Sequence, residues 1–475
     1  MKKLFFIVGC IFLLNTALGQ TSTITSKLSL NGAVDDVVIR EYRHPSTISC
    51  VFTRSNSTTF IYMNSSAMAK EFLVEDLKVN DMIISNGADG KNDTVFFCGH
   101  HPSTGLATFG YFNINNAFNG NGPIRFQDSI QSGEPGIIIA DLTRMTQFSN
   151  NANTHYACVG TNEIGNPCLV EFVIGPAPSI WYYRSGTVTD SPEKFCDVKV
   201  VSNLMKDYLV TAGMDYDYGR YLNLRIYNTS DIFATSGIQD KKHIFCIDTT
   251  FGVEWYNEDA FIRLVREGFF STVSYLKPNL YDKINGSDPV YPTNSLHVGV
   301  FSINALASGS LTSMNNSYVF EPLNIAQNNL MGYETGYGLF STYDRSVLEK
   351  YRDASSNETS SFCELKFDYG ANLISAQRKD APGMVFYRHD DYNSWTGYVL
   401  GGRESANPNM LVFGTDTYGS TDNCFAKANS MFLKYNPYMS VKKTRVFNTT
   451  TKNCYLKQFM VDPIESPCTI ICPAQ

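Results

Sequence analysis

The chain has 475 residues and a formal net charge of −7, with aromatic residues at 13% and charged residues at only 17%. So few charges beside so many aromatics exclude a disordered chain. A net acidic balance without a basic cluster excludes a protein that tracks nucleic-acid phosphates.

The first residues, MKKLFFIVGCIFLLNTALGQ, read as a secretory leader. Lys2 and Lys3 form its positive start, Leu4 to Leu14 its apolar run, and Ala17-Leu18-Gly19 a small-x-small cleavage site before Gln20. This assigns residues 1–19 to a signal peptide and 20–475 to one mature domain, secreted or held in the periplasm or outer cell envelope. Ile7-Val8-Gly9-Cys10 resembles a lipoprotein box, but the apolar run continues past Cys10 and the stretch before it is too short to act as a signal. Lipidation at Cys10 is therefore the lesser reading. No later stretch is apolar enough for a membrane helix, so no integral membrane segment is expected. Twelve cysteines include Cys10, and the odd number left after processing means at least one unpaired thiol.

Past the leader, one layout recurs. In NDTVFFCGHHPSTGLATFGYFNI (Asn92–Ile114) two apolar runs flank a polar loop from Gly99 to Gly105, the pattern of a β-hairpin. The same layout stands at Ile48–Asn64, His155–Gly175, Tyr208–Asn228, Asn372–Asp390 and Met410–Asn436. Upstream strands precede two of these, at Asn80–Asn86 and Val198–Asn203. Phe269–Tyr275 with Ser295–Asn304, and Ser317–Leu323, fill part of the gap. In several copies the first strand ends in small residues, among them Gly99, Gly160 and Gly213. A period of about 40–60 residues with three or four strands is the size of a propeller blade. The expected fold is all-β, a β-propeller of six to eight blades and best counted as seven, with a few short helical insertions. Tandem β-sandwiches are the alternative. Helices are expected at Asn257–Phe270, where Asn257 can cap and Phe261, Leu264 and Val265 share a face, and at Asp344–Ser356. Both lie in a span around 255–360 that reads as irregular insertions on the propeller body.

The leader ending LGQ, the stretch VNDMIISNGADGKNDTVFFCG and the strand GLATFGYFNI resemble uncharacterised secreted propeller-type proteins of Bacteroides-type gut bacteria. The resemblance runs from Val79 to Asn228 and its motifs are structural. It implies export to the cell envelope or beyond, and carries no catalytic residues to transfer.

The candidate sites weigh toward bland readings. His100 and His101 follow Cys98, but adjacent strand residues point to opposite faces and rarely share an ion, so no metal is assigned and the pair reads as exposed turn histidines. Asp215, Asp217 and Gly219 alternate like a calcium loop, but lack its distal bidentate carboxylate. Glu254–Asp259 and Arg388–Tyr392 group carboxylates with aromatics, which is the raw material of glycoside hydrolysis, yet nothing pairs Glu254 with Asp390. Trp181, Tyr182, Tyr183, Trp255 and Trp395 are the candidate ligand-binding residues, because exposed aromatic faces stack on sugar rings. Nucleophile elbows, P-loops and dinucleotide fingerprints are missing, no cofactor is expected, and the residues point away from catalysis.

The functional expectation is a non-catalytic secreted binding or scaffold protein that engages a glycan or protein at the cell surface. A propeller-fold carbohydrate-active enzyme using Asp/Glu at the channel mouth is the alternative, and a surface or adhesin subunit a third reading. One disulfide is expected: with the turn Gly160–Pro167 centred near Glu163, Cys158 and Cys168 fall opposite each other on paired strands.

Overall fold

In a computed structural model of the protein, the described residues are 34 strands between Thr25 and Cys472, one short helix and some of the links between them. Side chains are described in stretches within residues 28–229, 299–315 and 401–411. Among these residues the strands form seven antiparallel sheets, filled in chain order.

Strand β1 (Thr25–Ser29) comes first in the chain and completes the last sheet. The first sheet is β2 (Asp36–Glu41), β3 (Ile48–Arg54), β4 (Ser57–Met63) and β5 (Ala69–Glu75). The second is β6 (Lys78–Ser85), β7 (Thr94–His101), β8 (Leu106–Asn113) and β9 (Ile124–Ser132). The third is β10 (Ile139–Asn150), β11 (Asn153–Asn162), β12 (Pro167–Ile174) and β13 (Ile180–Thr187). The fourth is β14 (Glu193–Ser202), β15 (Asp207–Asp215), β16 (Tyr221–Asn228) and β17 (Ile238–Ile247). The fifth is β18 (Ile262–Val265), β19 (Phe270–Pro278), β20 (Asn294–Ser302) and β21 (Asn316–Glu321), with helix α1 (Ile303–Ser308) between the last two. The sixth is β22 (Asn328–Asn329), β23 (Arg345–Asp353), β24 (Ser360–Phe367) and β25 (Leu373–Ala381). The seventh is β26 (Met384–Tyr392), β27 (Gly397–Glu404) and β28 (Met410–Thr417), with β1 paired to β28 as its fourth strand.

The chain then runs back over the sheets it has made. β29 (Lys427–Ala428) joins β25, β30 (Leu433–Tyr435) joins β21, and β31 (Met439–Thr449) joins β17. β32 (Cys454–Val461) then joins β9, β33 (Ile464–Ser466) joins β5, and β34 (Thr469–Cys472) joins β1. The sheets are visited in the order six, five, four, two, one, seven, and among the described residues the third sheet gains no fifth strand.

In the second and third sheets both faces of the central strands are apolar because each of these sheets is packed on two sides. Along β7, Val95 and Phe97 pack toward the first sheet with Phe60, Phe72 and Phe112, whereas Phe96 and Cys98 pack toward the third. The second and third sheets meet in an aromatic layer: Phe109 stacks on Phe172 at 4.0 Å between centroids, and Phe96 on Tyr156 at 4.2 Å. Such contacts add to the burial of large apolar area. A further layer joins the third and fourth sheets, and α1 places Ile303 and Leu306 over the core of the fourth.

The small residues of the repeat have a local cause. The first strand of four sheets carries a bulge that faces a second-strand glycine: Val79/Asp81 against Gly99, Leu142/Arg144 against Gly160, Phe195/Asp197 against Gly213, and Phe386/Arg388 against Gly402. The bulge drives a first-strand carbonyl onto the glycine, so that a Cβ on Gly99 would lie 1.9 Å from Lys78 O, and one on Gly160 1.8 Å from Asp141 O. Neither a backbone carbonyl nor the ladder that holds it can move aside cheaply.

Several expectations need correction. Asn372–Asp390 and Met410–Asn436 are not hairpins, because β25 and β26 lie in different sheets and β28 pairs with β27 and β1. Of the first expected helix, Ile262–Val265 is β18 and Phe270 opens β19, and the described part of the second is β23. Strand partners on both sides override the helical pattern in β23. The span around 255–360 thus supplies strands to two sheets. The Cys158–Cys168 disulfide is also overturned: neither cysteine is in a disulfide, with Cys158 opposite Val170 and Cys168 opposite Gly160. Gly165, at φ 81°, closes the turn with its N–H on Asn162 O at 3.0 Å and shifts the turn's centre to Ile164. The two cysteines become diagonal neighbours, a separation of about 7–8 Å that a disulfide does not span.

Replacing Gly99 or Gly160 with alanine is expected to lower the unfolding free energy by about 3 kcal/mol. Gly105→Ala, where a Cβ meets nothing within 4 Å, should cost about 1 kcal/mol through its positive φ alone. Urea denaturation of the three variants checks the difference.

Candidate functional site

The first strand of each sheet is an edge, so alternate N–H groups along it point away from the second strand and need another acceptor. Side chains of the preceding sheet supply it. The Thr58 hydroxyl of the first sheet accepts Val79 N–H of β6 at 3.1 Å and donates to Leu77 O at 2.6 Å. Asp81 of the second sheet accepts Met145 N–H of β10 on Oδ2 and its neighbour Met82 N–H on Oδ1, both at 3.0 Å. Thr146 of the third sheet accepts Val200 N–H of β14 at 3.4 Å. Asp197 repeats the local half of the Asp81 arrangement, accepting Val198 N–H at 2.9 Å.

Where β6 and β10 begin, these contacts reach the surface as a polar cluster. Asn80, the extra residue of the β6 bulge, donates from Nδ2 to Asp141 Oδ1 at 2.6 Å and to Leu142 O at 2.9 Å. His100 donates from Nδ1 to the same Asp141 oxygen at 2.8 Å, because a carboxylate can only accept, and this leaves Nε2 as the outer ring nitrogen. The two side chains are 22% and 31% exposed, so the cluster is reachable by a ligand. His101 belongs to a different group: its Nδ1 donates to Asp76 O at 2.6 Å. Asp76 takes a left-handed φ of 52° in the tight link between β5 and β6, and its carboxylate accepts Ser103 N–H at 2.8 Å and the Ser103 hydroxyl.

The two histidines do point to different partners, but they are not turn residues. β7 extends through His101, with His100 opposite Ala107 and His101 opposite Leu106. Among the described residues no three His, Cys, Asp or Glu side chains are grouped as a metal site. Trp181, Tyr182 and Tyr183 lie on β13, paired with β12, with Tyr182 opposite Val173 and Tyr183 opposite Phe172. Trp255 and Trp395 lie outside the described residues, as do Asp217 and Gly219. Asp390 sits on β26 opposite Val399, and Glu254 lies outside the described residues.

Sequence reasoning missed Asn80, Asp81 and Asp141. The available signal was an apolar-x-Asp-apolar motif at the start of first strands, as in Val79-Asn80-Asp81-Met82 and Phe195-Cys196-Asp197-Val198.

No protein-family model matches the chain, and no curated protein matches it. Among solved structures, it is similar to a member of the DUF4221 family from Bacteroides vulgatus, at 9% sequence identity and a TM-score of 0.34. That likeness covers 88% of this chain and 98% of the other. Among the described residues no helix is long and apolar enough to cross a membrane.

Removing the Asp81 carboxylate should matter more than removing the surface cluster. Asp81→Ala leaves two buried N–H groups without their acceptor and is expected to cost about 3 kcal/mol. His100→Ala, at a partly exposed pair, should cost about 1 kcal/mol or less. Chemical denaturation of both variants measures the contrast.

Proposed function

We propose that the chain is a seven-bladed β-propeller acting as a non-catalytic, secreted binding or scaffold protein that engages a glycan or protein at the cell envelope. Three features support the radial arrangement. First strands of successive sheets lie against one another, from β26 to β2, β6, β10, β14 and β18. The N-terminal β1 completes the seventh sheet. The returning C-terminal strands pass directly from the first sheet to the seventh, as neighbours in a ring would allow.

The observation that carries the binding reading is the engagement of the described carboxylates near the first-strand starts. Asp81 holds two backbone N–H groups, and Asp141 holds an amide and an imidazole. Carboxylates occupied in this way hold strands in place rather than standing open toward a leaving group. What they leave outward is a surface of amide, imidazole, hydroxyl and carboxylate groups at Asn80, His100, Ser103, Asp141 and Asp76. That set can hydrogen-bond the hydroxyls of a glycan or the backbone of a protein.

Titration calorimetry with envelope polysaccharides tests the reading. Stoichiometric binding is expected, weakened about tenfold by His100→Ala, or about 1.4 kcal/mol, with the polysaccharide recovered intact. Release of new reducing ends would support the carbohydrate-active alternative, and the absence of any binding to polysaccharide or surface protein would remove the proposal.

A further inference from the structure

Of the four cysteines whose side chains are described, three, Cys98, Cys158 and Cys168, lie in one core between the second and third sheets, and none of the three is exposed. Cys98 stands on β7 opposite Phe109, and Cys158 on β11 opposite Val170. Cys98 also lies opposite Asp81 of β6, whose carboxylate accepts Met145 N–H of β10, and Met145 lies opposite Cys158, so the two cysteines stand at one level of the same buried interface. Cys168 shares the layer but belongs to β12, and its backbone position faces Gly160. The hairpin register sets Cys158 and Cys168 diagonally on their own sheet, whereas Cys98 faces Cys158 from the neighbouring sheet.

We propose that Cys98 and Cys158 form a redox pair, closing to a disulfide that ties the second sheet to the third. Two S–H bonds break and one S–S bond forms. The two protons and two electrons pass to a disulfide oxidant, such as glutathione disulfide or a protein dithiol carrier, which is reduced to two thiols. Cys168 stays reduced.

Burial pushes the Cys98 thiol well above its ordinary range, helped by the neighbouring Cys158, Asp81 and Asp141. The nucleophile in disulfide exchange is the thiolate, and it must be reached by the oxidant. In the folded protein the Cys98 thiolate is disfavoured and neither sulfur is within reach of an oxidant, so the bond forms while the second and third sheets are docking. Once formed, it is shielded from external reductants. Whether the chain meets an oxidant in the cell rests on the proposed secretion, whereas the pairing itself does not.

The experiment separates the two. Reduced, unfolded protein is refolded in a glutathione redox buffer, trapped with iodoacetamide in denaturant and mapped by mass spectrometry without reduction. The expected result is a linked pair of peptides containing Cys98 and Cys158 that separates on reduction, with Cys168 alkylated. The link should persist in Cys168→Ser. Oxidation should also raise the folded-to-unfolded ratio at a fixed urea concentration by about tenfold or more, an effect absent from Cys98→Ser. Alkylation of both cysteines in cooperatively refolded protein, or a Cys158–Cys168 link, would overturn the proposal. The same map on protein recovered after export behind its own leader completes the test. Free thiols there, beside a bridge in the refolded chain, would contradict secretion into an oxidising compartment and leave the pair standing.

Discussion

Every open sheet has two edge strands, and a buried edge cannot leave its N–H groups bare. At the second, third and fourth sheets an N–H of that edge is satisfied sideways, by a side chain of the sheet before it: Thr58 for Val79, Asp81 for Met145, Thr146 for Val200. An unsatisfied buried N–H costs about 1–3 kcal/mol, whereas the net gain from one neutral hydrogen bond is about 1 kcal/mol. Docking the next sheet is therefore favoured twice over, by apolar burial and by relief of the edge. This couples neighbours that share no strand ladder between them.

The bulge and the glycine opposite it make that coupling geometric. The inserted residue of β6 is Asn80, and the residue after it is Asp81. Without the insertion, alternation along the strand would turn the residues beyond it to the other face. With it, Asp81 reaches the third sheet while Asn80 joins His100 on Asp141. The bulge in turn requires a partner without a Cβ, and Gly99 is that partner. The partly exposed cluster, the Asp81 cap and Gly99 all depend on this one backbone irregularity of β6.

Much of this was legible in the sequence. The alternating apolar runs located β3–β4, β7–β8, β11–β12 and β15–β16, which are the middle strands of four successive sheets. Middle strands are packed on both faces and so carry the strongest apolar signal. Strands nearer the edges are short or polar: the edge strand β22 is two residues long, and β23 beside it alternates charges in a way that reads as helix. The returning strands β29 to β34 were hidden for the same reason, since each is defined by the sheet it joins. Gly99, Gly160 and Gly213 were visible as small residues, but their cause lay on another strand. The cysteine pairing failed on a single turn residue, Gly165, whose left-handed φ moved the hairpin register. His100 was visible, whereas Asp141, 41 residues away, could be joined to it only by the docking of two sheets.

The coupling of edges to neighbouring side chains is most directly tested by native-state hydrogen exchange at Val79, Met145 and Val200. Edge amides with no strand partner ordinarily exchange through small local openings. If Thr58, Asp81 and Thr146 hold them, all three should exchange only with global unfolding, at the free energy of amides in β7 and β11. Exchange of these amides far faster than those of the central strands, in intact folded protein, would contradict the account.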